Sequence, residues 1–264
     1  RPDLSIPEVP SQAAWRLFHR LAVSGRPISD PKSGWQARYL REVDMTNDRH
    51  RFTKAPASTS DVPVLEGRHI SQFRYRSKAY LRGEGRAAVW QPLQLSQAEQ
   101  PSAQWFIAKD QLRPGTHARV SQSRIAFCDI TGQTNERSLL TARVPAGVVC
   151  GNKVPTIEFG SGGSDREDLF LALTNSLVVD WMMRRLVTTT VNFFLLDSLP
   201  LPPVPPASPV GQELIALGRQ ISAAEGEANA DLAEVGDKRA RIDALVAASW
   251  GVSLEEMQLI LEDF

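Results

Sequence analysis

The stretch "SDREDLFLALTNSLVVDWMMRRLV", Ser164 to Val187, decides the fold. Ser164 and Glu167 have the spacing of a capping box, in which a hydroxyl and a carboxylate each accept a backbone N–H at a helix start. Acids fill the first turn, and Arg184 and Arg185 the last, so the charges oppose the helix dipole at both ends. Phe170, Leu173, Leu177, Val178 and Trp181 recur at helical spacing. One packed helix is expected, with Trp181 buried on its apolar face.

Upstream of this helix the pattern changes to that of a sheet. "ARVSQSRIAFCDI" and "RSLLTARVPAGVVCGN" hold short β-prone groups punctuated by Pro145 and Gly147. "GSGGS", Gly160 to Ser164, fits neither a dinucleotide-binding nor a P-loop spacing and reads as a loop into the helix. Downstream, "NFFLLDSLPLPPVPP", Asn192 to Pro206, passes from apolar residues into five prolines. Such a segment favours an extended, polyproline-like path, expected to hold the C-terminal tail at a fixed distance. The tail reads as two or three helices. "RIDALVAASW" stops at Gly251, and Ser253 with Glu256 repeats the capping box before "LEEMQLILEDF". Residues 1–60 are rich in Pro, Ser and Asp. They hold one short amphipathic helix at "AAWRLFHRLAV", with Trp15, Phe18 and Leu21, or Leu17 and Leu21, on its apolar face.

The expected class is α+β, a sheet-rich body with a packed helix and a C-terminal helical appendage. Its parts are a connecting segment at 1–60, the body at 61–199, a proline-rich linker at 200–211 and acidic helices at 212–264. A chain of 264 residues can form one large domain or two small ones. No run reaches the roughly 18 apolar residues of a membrane span, so no membrane partner is expected. "RPDLSIPEVP" has neither an initiator Met nor an apolar core and reads as the interior of a longer chain, not a signal peptide. Two cysteines, Cys128 and Cys150, are too few for a disulfide framework or a zinc site. That suits a reducing cytoplasm, although a single disulfide between them stays open.

Net charge is zero but unevenly placed: from Gln212 onward there are eleven acids and four bases, leaving the preceding body basic. Such asymmetry accompanies polyanion-binding bodies and also arises from two unrelated solvated faces. The acidity of the helices argues against their touching DNA. Within "DVPVLEGRHISQFRYRSKAYLRGEGRAAVW", Asp61 to Trp90, a strand-like start leads into Arg68, Arg74, Arg76, Lys78, Arg82 and Arg86. Phe73, Tyr75 and Tyr80 interleave with these bases.

Catalytic chemistry is hard to find. His19, His50, His69 and His117 are scattered without ligand spacing. Asp129 and Glu136 lack the nearby lysine or histidine that a nuclease would use to activate water. No nucleophile elbow occurs. Neither catalytic nor metal-binding residues are expected. "TGQTNERS", Thr131 to Ser138, and "GNK", Gly151 to Lys153, display residue types that read base edges. The first fits equally a turn fixed by a buried Asn–Arg network.

Together, "FCDITGQTNERSLLTARVPAGVVCGNK", "LFLALTNSLVVDWMMRRLVTTTVNFFLLDSLPLP" and "RIDALVAASWGVSLEEMQLILEDF" resemble the C-terminal half of large adenine-specific DNA methyltransferases. The likeness is to those of type IIG restriction–modification enzymes and related phage-defence systems. "REVDMTNDRHRF" and "VLEGRHISQF" are similar to the segment that precedes these motifs, so the resemblance spans roughly residues 40–264. It implies a target-recognition, or specificity, domain that holds double-stranded DNA against an N-terminal methyltransferase domain of the same parent chain. That domain would bind S-adenosylmethionine. This chain has neither the (N/D)-P-P-(Y/F) motif nor a cofactor glycine motif, so no cofactor is expected in it and it resembles the reader without the writer.

The resemblance also sorts the polar residues. "TNER" recurs across the family whatever its target, which makes Asn135 and Arg137 scaffold or phosphate contacts. Arg68, Arg74, Arg76, Lys78 and Arg82, with Arg137, are the expected grip on the DNA backbone. Gln133, Asn135 and Lys153 are the base-reading candidates. A stand-alone nuclease or other hydrolase, or an interaction subunit using its C-terminal helices, are the alternative readings.

Overall fold

A computed structural model describes residues 7–94, 102–160, 162–224 and 230–264. In chain order the elements begin with α1 (Gln12–Ser24), β1 (Arg26–Pro27), β2 (Ala37–Leu40), β3 (Asp61–Leu65), β4 (Lys78–Arg82), β5 (Val89–Pro92) and β6 (Phe106–Ala108). Next come α2 (Pro114–Val120), β7 (Arg124–Phe127), β8 (Thr141–Val144), β9 (Val149–Cys150) and β10 (Thr156–Phe159). The chain then runs through α3 (Gly163–Thr174), α4 (Leu177–Arg184), α5 (Phe193–Ser198), β11 (Pro200–Leu201), α6 (Pro209–Ala224), α7 (Leu232–Ser249) and α8 (Leu254–Leu261). The class is α+β.

Four antiparallel strands in the order β2-β10-β7-β8 form the central sheet, and β6-β3-β9 a second, in which β3 and β9 run parallel. β7 explains why the centre is closed on both sides. Its side chains alternate between faces, and Ile125 and Phe127 enter the cluster with the helices while Ala126 and Cys128 enter a second cluster with Leu65, Val144 and Cys150. All four of its residues are buried. Both cysteines are free thiols.

The decisive stretch is helical, but it forms two helices. Asn175 and Ser176 break it, and Ser176 starts α4 by accepting the Val179 N–H at 3.4 Å. Asn175 leaves the helix to pair with β8: its amide nitrogen donates to the Thr141 carbonyl at 3.1 Å and its oxygen accepts the Thr141 N–H at 3.4 Å. The expected capping box at Ser164 is absent too. α3 starts two residues sooner, with Gly162 as its N-cap at φ 94°, in the left-handed region that favours glycine. Glu167 pairs with Arg143 instead of turning back to the backbone. Trp181 is fully buried, as its spacing predicts, and its indole donates to Asp263 Oδ2 at 2.7 Å.

In α1 the buried face is Ala14, Leu17, Phe18 and Leu21, with Trp15 outward at 45% exposure, so the second of the two phasings is closer. Gly251 takes φ 59° just past α7, and the Ser253–Glu256 capping box forms at α8.

The prolines do not hold the following helices away. Pro200 and Leu201 pair with β1, and α6 then returns onto α3. Leu214, Ile215, Ile221, Ile242, Val246 and Ile260 of the last three helices join the same core as the sheet. The approach is close because Gly218 has no Cβ; one there would sit 2.4 Å from the Asp168 carbonyl oxygen. Asp168, 2% exposed, accepts Arg143 from β8 on one oxygen at 2.7 Å and Arg219 from α6 on the other at 2.9 Å. One buried carboxylate therefore ties sheet, helix pair and returning helix together.

Candidate functional site

The segment after β3 turns sharply and leads into the β4–β5 hairpin. Ser71 and Arg74 bridge each other across a tight turn, and Phe73 within it adopts φ 62° with its ring buried. A bulky residue takes that conformation only where its surroundings over-determine it. Here its N–H donates to the Thr141 carbonyl at 2.9 Å. Arg74 is oriented by a 2.9 Å hydrogen bond from Nη2 to the Leu93 carbonyl, and Arg68 by one of 3.2 Å to the Ala88 carbonyl.

Across from this strip lies Thr131 to Ser138, held from beneath. Arg184, on α4, donates to three carbonyls of the loop: Gln133 at 3.0 Å, Asn135 at 2.9 Å and Glu136 at 2.8 Å. It also donates to the Asp263 carbonyl at 2.7 Å, and its guanidinium lies 4.5 Å from the Phe264 ring centroid. Asp180, fully buried on the same helix, accepts the Ser138 and Leu139 N–H groups on Oδ1 at 2.9 and 2.5 Å. Burial pushes the Asp180 carboxyl above the usual range, opposed by Arg137 at 3.5 Å. The Asn135 amide turns inward to Thr131 Oγ1 at 3.3 Å.

The turn after β9 is fixed as well. Gly151 donates to the Leu65 carbonyl at 2.9 Å, and Lys153 projects with 45% of its side chain exposed. Its ammonium is 3.7 Å from Asp129 Oδ2, which Arg41 approaches at 3.8 Å. Asp129 is 1% exposed, and burial raises its pKa against the pull of those two cations.

These walls enclose an open cleft of about 930 Å³. Six of the nine residues singled out in the sequence line it: Arg68, Arg74, Lys78, Asn135, Arg137 and Lys153. Arg76 does not, being buried beside Tyr75 at 5% exposure, and neither does Arg82, exposed on the hairpin. Gln133 lies outside the lining and meets Arg184 through its backbone. Six cations and two acids, Glu66 and Glu136, line the cleft, so its field favours an anion. Among the described residues no three His, Cys, Asp or Glu side chains cluster as metal ligands would. His69 is a structural residue: it is fully buried, packs edge-on to Trp90, and burial lowers its pKa to about 4.

No protein-family model matches the sequence, and no curated protein matches it. Among solved structures, the type IIL restriction-modification enzyme MmeI, in complex with DNA, matches with a TM-score of 0.50 at 12% sequence identity. The fold is shared with part of a restriction–modification enzyme. The match covers 90% of this chain and 36% of MmeI, so the chain spans well under half the length of that enzyme.

Within this fold, three features were not evident from the sequence. Arg184 looked like a helix-end charge, yet it grips a distant loop. Asp180 anchors the same loop; a lone acid inside "VVDWMM" was a usable signal, since charges are rarely buried without a partner. Arg239, on α7, lines the cleft although its surroundings in sequence are acidic. No described helix is long and apolar enough to cross a membrane.

Proposed function

We propose that this chain is a sequence-specific recognition domain for double-stranded DNA, acting beside a separate adenine methyltransferase domain in a restriction–modification system. The observation that carries the proposal is the convergence of separate basic and polar sequence motifs on one cationic cleft. The fold shared with MmeI, whose structure holds DNA, supports it. In this reading Arg68, Arg74 and Lys78 neutralise phosphates and supply affinity independent of sequence. Lys153 and the exposed side chains of the Thr131–Ser138 loop approach base edges, with discrimination of about 1–3 kcal/mol per well-placed pair. Arg137, between Asp180 and the Phe264 ring, stiffens the loop as much as it charges the cleft.

S-adenosylmethionine belongs to the methyltransferase domain in this proposal. Calorimetry at micromolar concentration should detect no cofactor binding to this chain. The main test is selection of duplexes from a random pool, then competition between an enriched duplex and its scrambled form. A preference that weakens with salt is expected. Equal binding of both forms refutes sequence reading, and Mg²⁺-dependent cleavage of the duplex would favour a hydrolase instead.

A further inference from the structure

Helix α7 places three cations within four residues, Lys238, Arg239 and Arg241, and uses them differently. Lys238 pairs with Glu234 one turn back at 2.6 Å. Arg241 forms two hydrogen bonds to Glu213 of α6, at 2.7 and 3.1 Å. Both belong to the exterior of the helical layer. Arg239 instead lines the cleft together with Arg68, Arg74 and Lys78. Its Nη2 donates to the Gln72 carbonyl at 3.3 Å, and its guanidinium carbon stands 5.8 Å from the centroid of the Phe73 ring. It thus rests on the strained turn whose neighbouring side chains, Ser71, Gln72 and Arg74, face the cleft. A guanidinium is a planar fork of five donors, so it can hold a carbonyl along one edge and a phosphate along another.

We infer that the acidic helical layer forms part of the nucleic-acid surface, with Arg239 of α7 contacting a phosphate of duplex DNA. Net charge over the C-terminal region conceals this, because none of its described acids lines the cleft. The inference rests on the cleft being the DNA surface. It adds a wall that the basic strip alone does not supply, and it makes the footprint depend on helices that come after the sheet in sequence.

The test uses the whole chain and a fluorescently labelled duplex of random sequence, since phosphate contacts are independent of sequence. Arg239→Ala should weaken binding and flatten the slope of log affinity against log salt by about 0.9, the value for one lost phosphate contact. Arg239→Lys should retain the slope, and Arg241→Ala should leave it unchanged. A purely structural strut would lower the melting temperature and the affinity without moving the slope, and that result overturns the inference. Should Arg239→Ala lose its cooperative melt, Arg239→Gln removes the charge while keeping a donor for Gln72, and the same fall in slope is expected. A slope that responds to Arg68→Ala but not to the Arg239 variants removes α7 alone from the surface. Absence of binding by the unmodified chain removes the cleft and this contact together.

Discussion

Burial raises the Asp243 carboxyl from its ordinary 3.8 to about 6, and the Leu177 N–H that it accepts at 2.7 Å offsets only part of that. Between those two values the folded chain keeps a proton that the unfolded chain has lost. Stability from this group is therefore complete below the unfolded pKa and falls as pH rises through the folded one. Asp243→Asn, which preserves an acceptor for Leu177, should remove this decline and leave the protein at least as stable at pH 7. Denaturant melts at half-unit pH steps measure it; an unchanged decline across the window would assign it to another group. At Trp181 the issue is volume. Trp181→Ala should cost about 3–5 kcal/mol, the usual range for a large buried aromatic. It also deprives Asp263 of its indole donor, leaving Arg185 as partner. An unchanged melting temperature would contradict the packing.

Among the elements, the contact of α6 with α3 sets two effects against each other. Alanine at Gly218 would gain about 1 kcal/mol of helix propensity. Its Cβ, however, would meet a backbone oxygen at 2.4 Å, which no rotamer change relieves. Gly218→Ala should therefore lower the melting temperature, and a rise would show that the helices separate freely. Elements such as these were readable where the physics is local. Periodicity exposed α1 and the burial of Trp181, β-prone groups punctuated by Pro145 and Gly147 exposed β8 and β9, and a glycine or a serine–glutamate pair marked the ends at Gly251 and Ser253. The break at Asn175 was less visible, because its reason is a ladder-like pair with Thr141, far away in sequence. The prolines misled for a similar cause: local stiffness says how a segment runs, not where the helices beyond it find their core.

For the whole molecule the same division holds. The basic strip was legible because its charges are neighbours in sequence, but burial sorts them: Arg68 and Lys78 are exposed in the cleft while Arg76 is enclosed. Arg68→Ala and Lys78→Ala should each reduce the salt slope of duplex binding by about 0.9, with little loss of stability. Arg76→Ala should instead destabilise the fold, since it empties a buried site. Fluorescence anisotropy at several salt concentrations, beside thermal melts, separates the two behaviours. An Arg76 variant that melts normally and loses slope would place its guanidinium outside.

Arg184 reaches the Thr131–Ser138 loop entirely through carbonyl oxygens, and Asp180 holds its end through the Ser138 and Leu139 N–H groups, with Arg137 the one side chain it pairs with. Carbonyls and amides survive almost any substitution. The chain thus separates the path of this loop, written into α4, from the identity of its exposed residues. Positions 133, 134 and 136 can mutate with little effect on the backbone that presents them. Side chains there can change one at a time, and with them what the loop displays to the cleft, while the protein still folds.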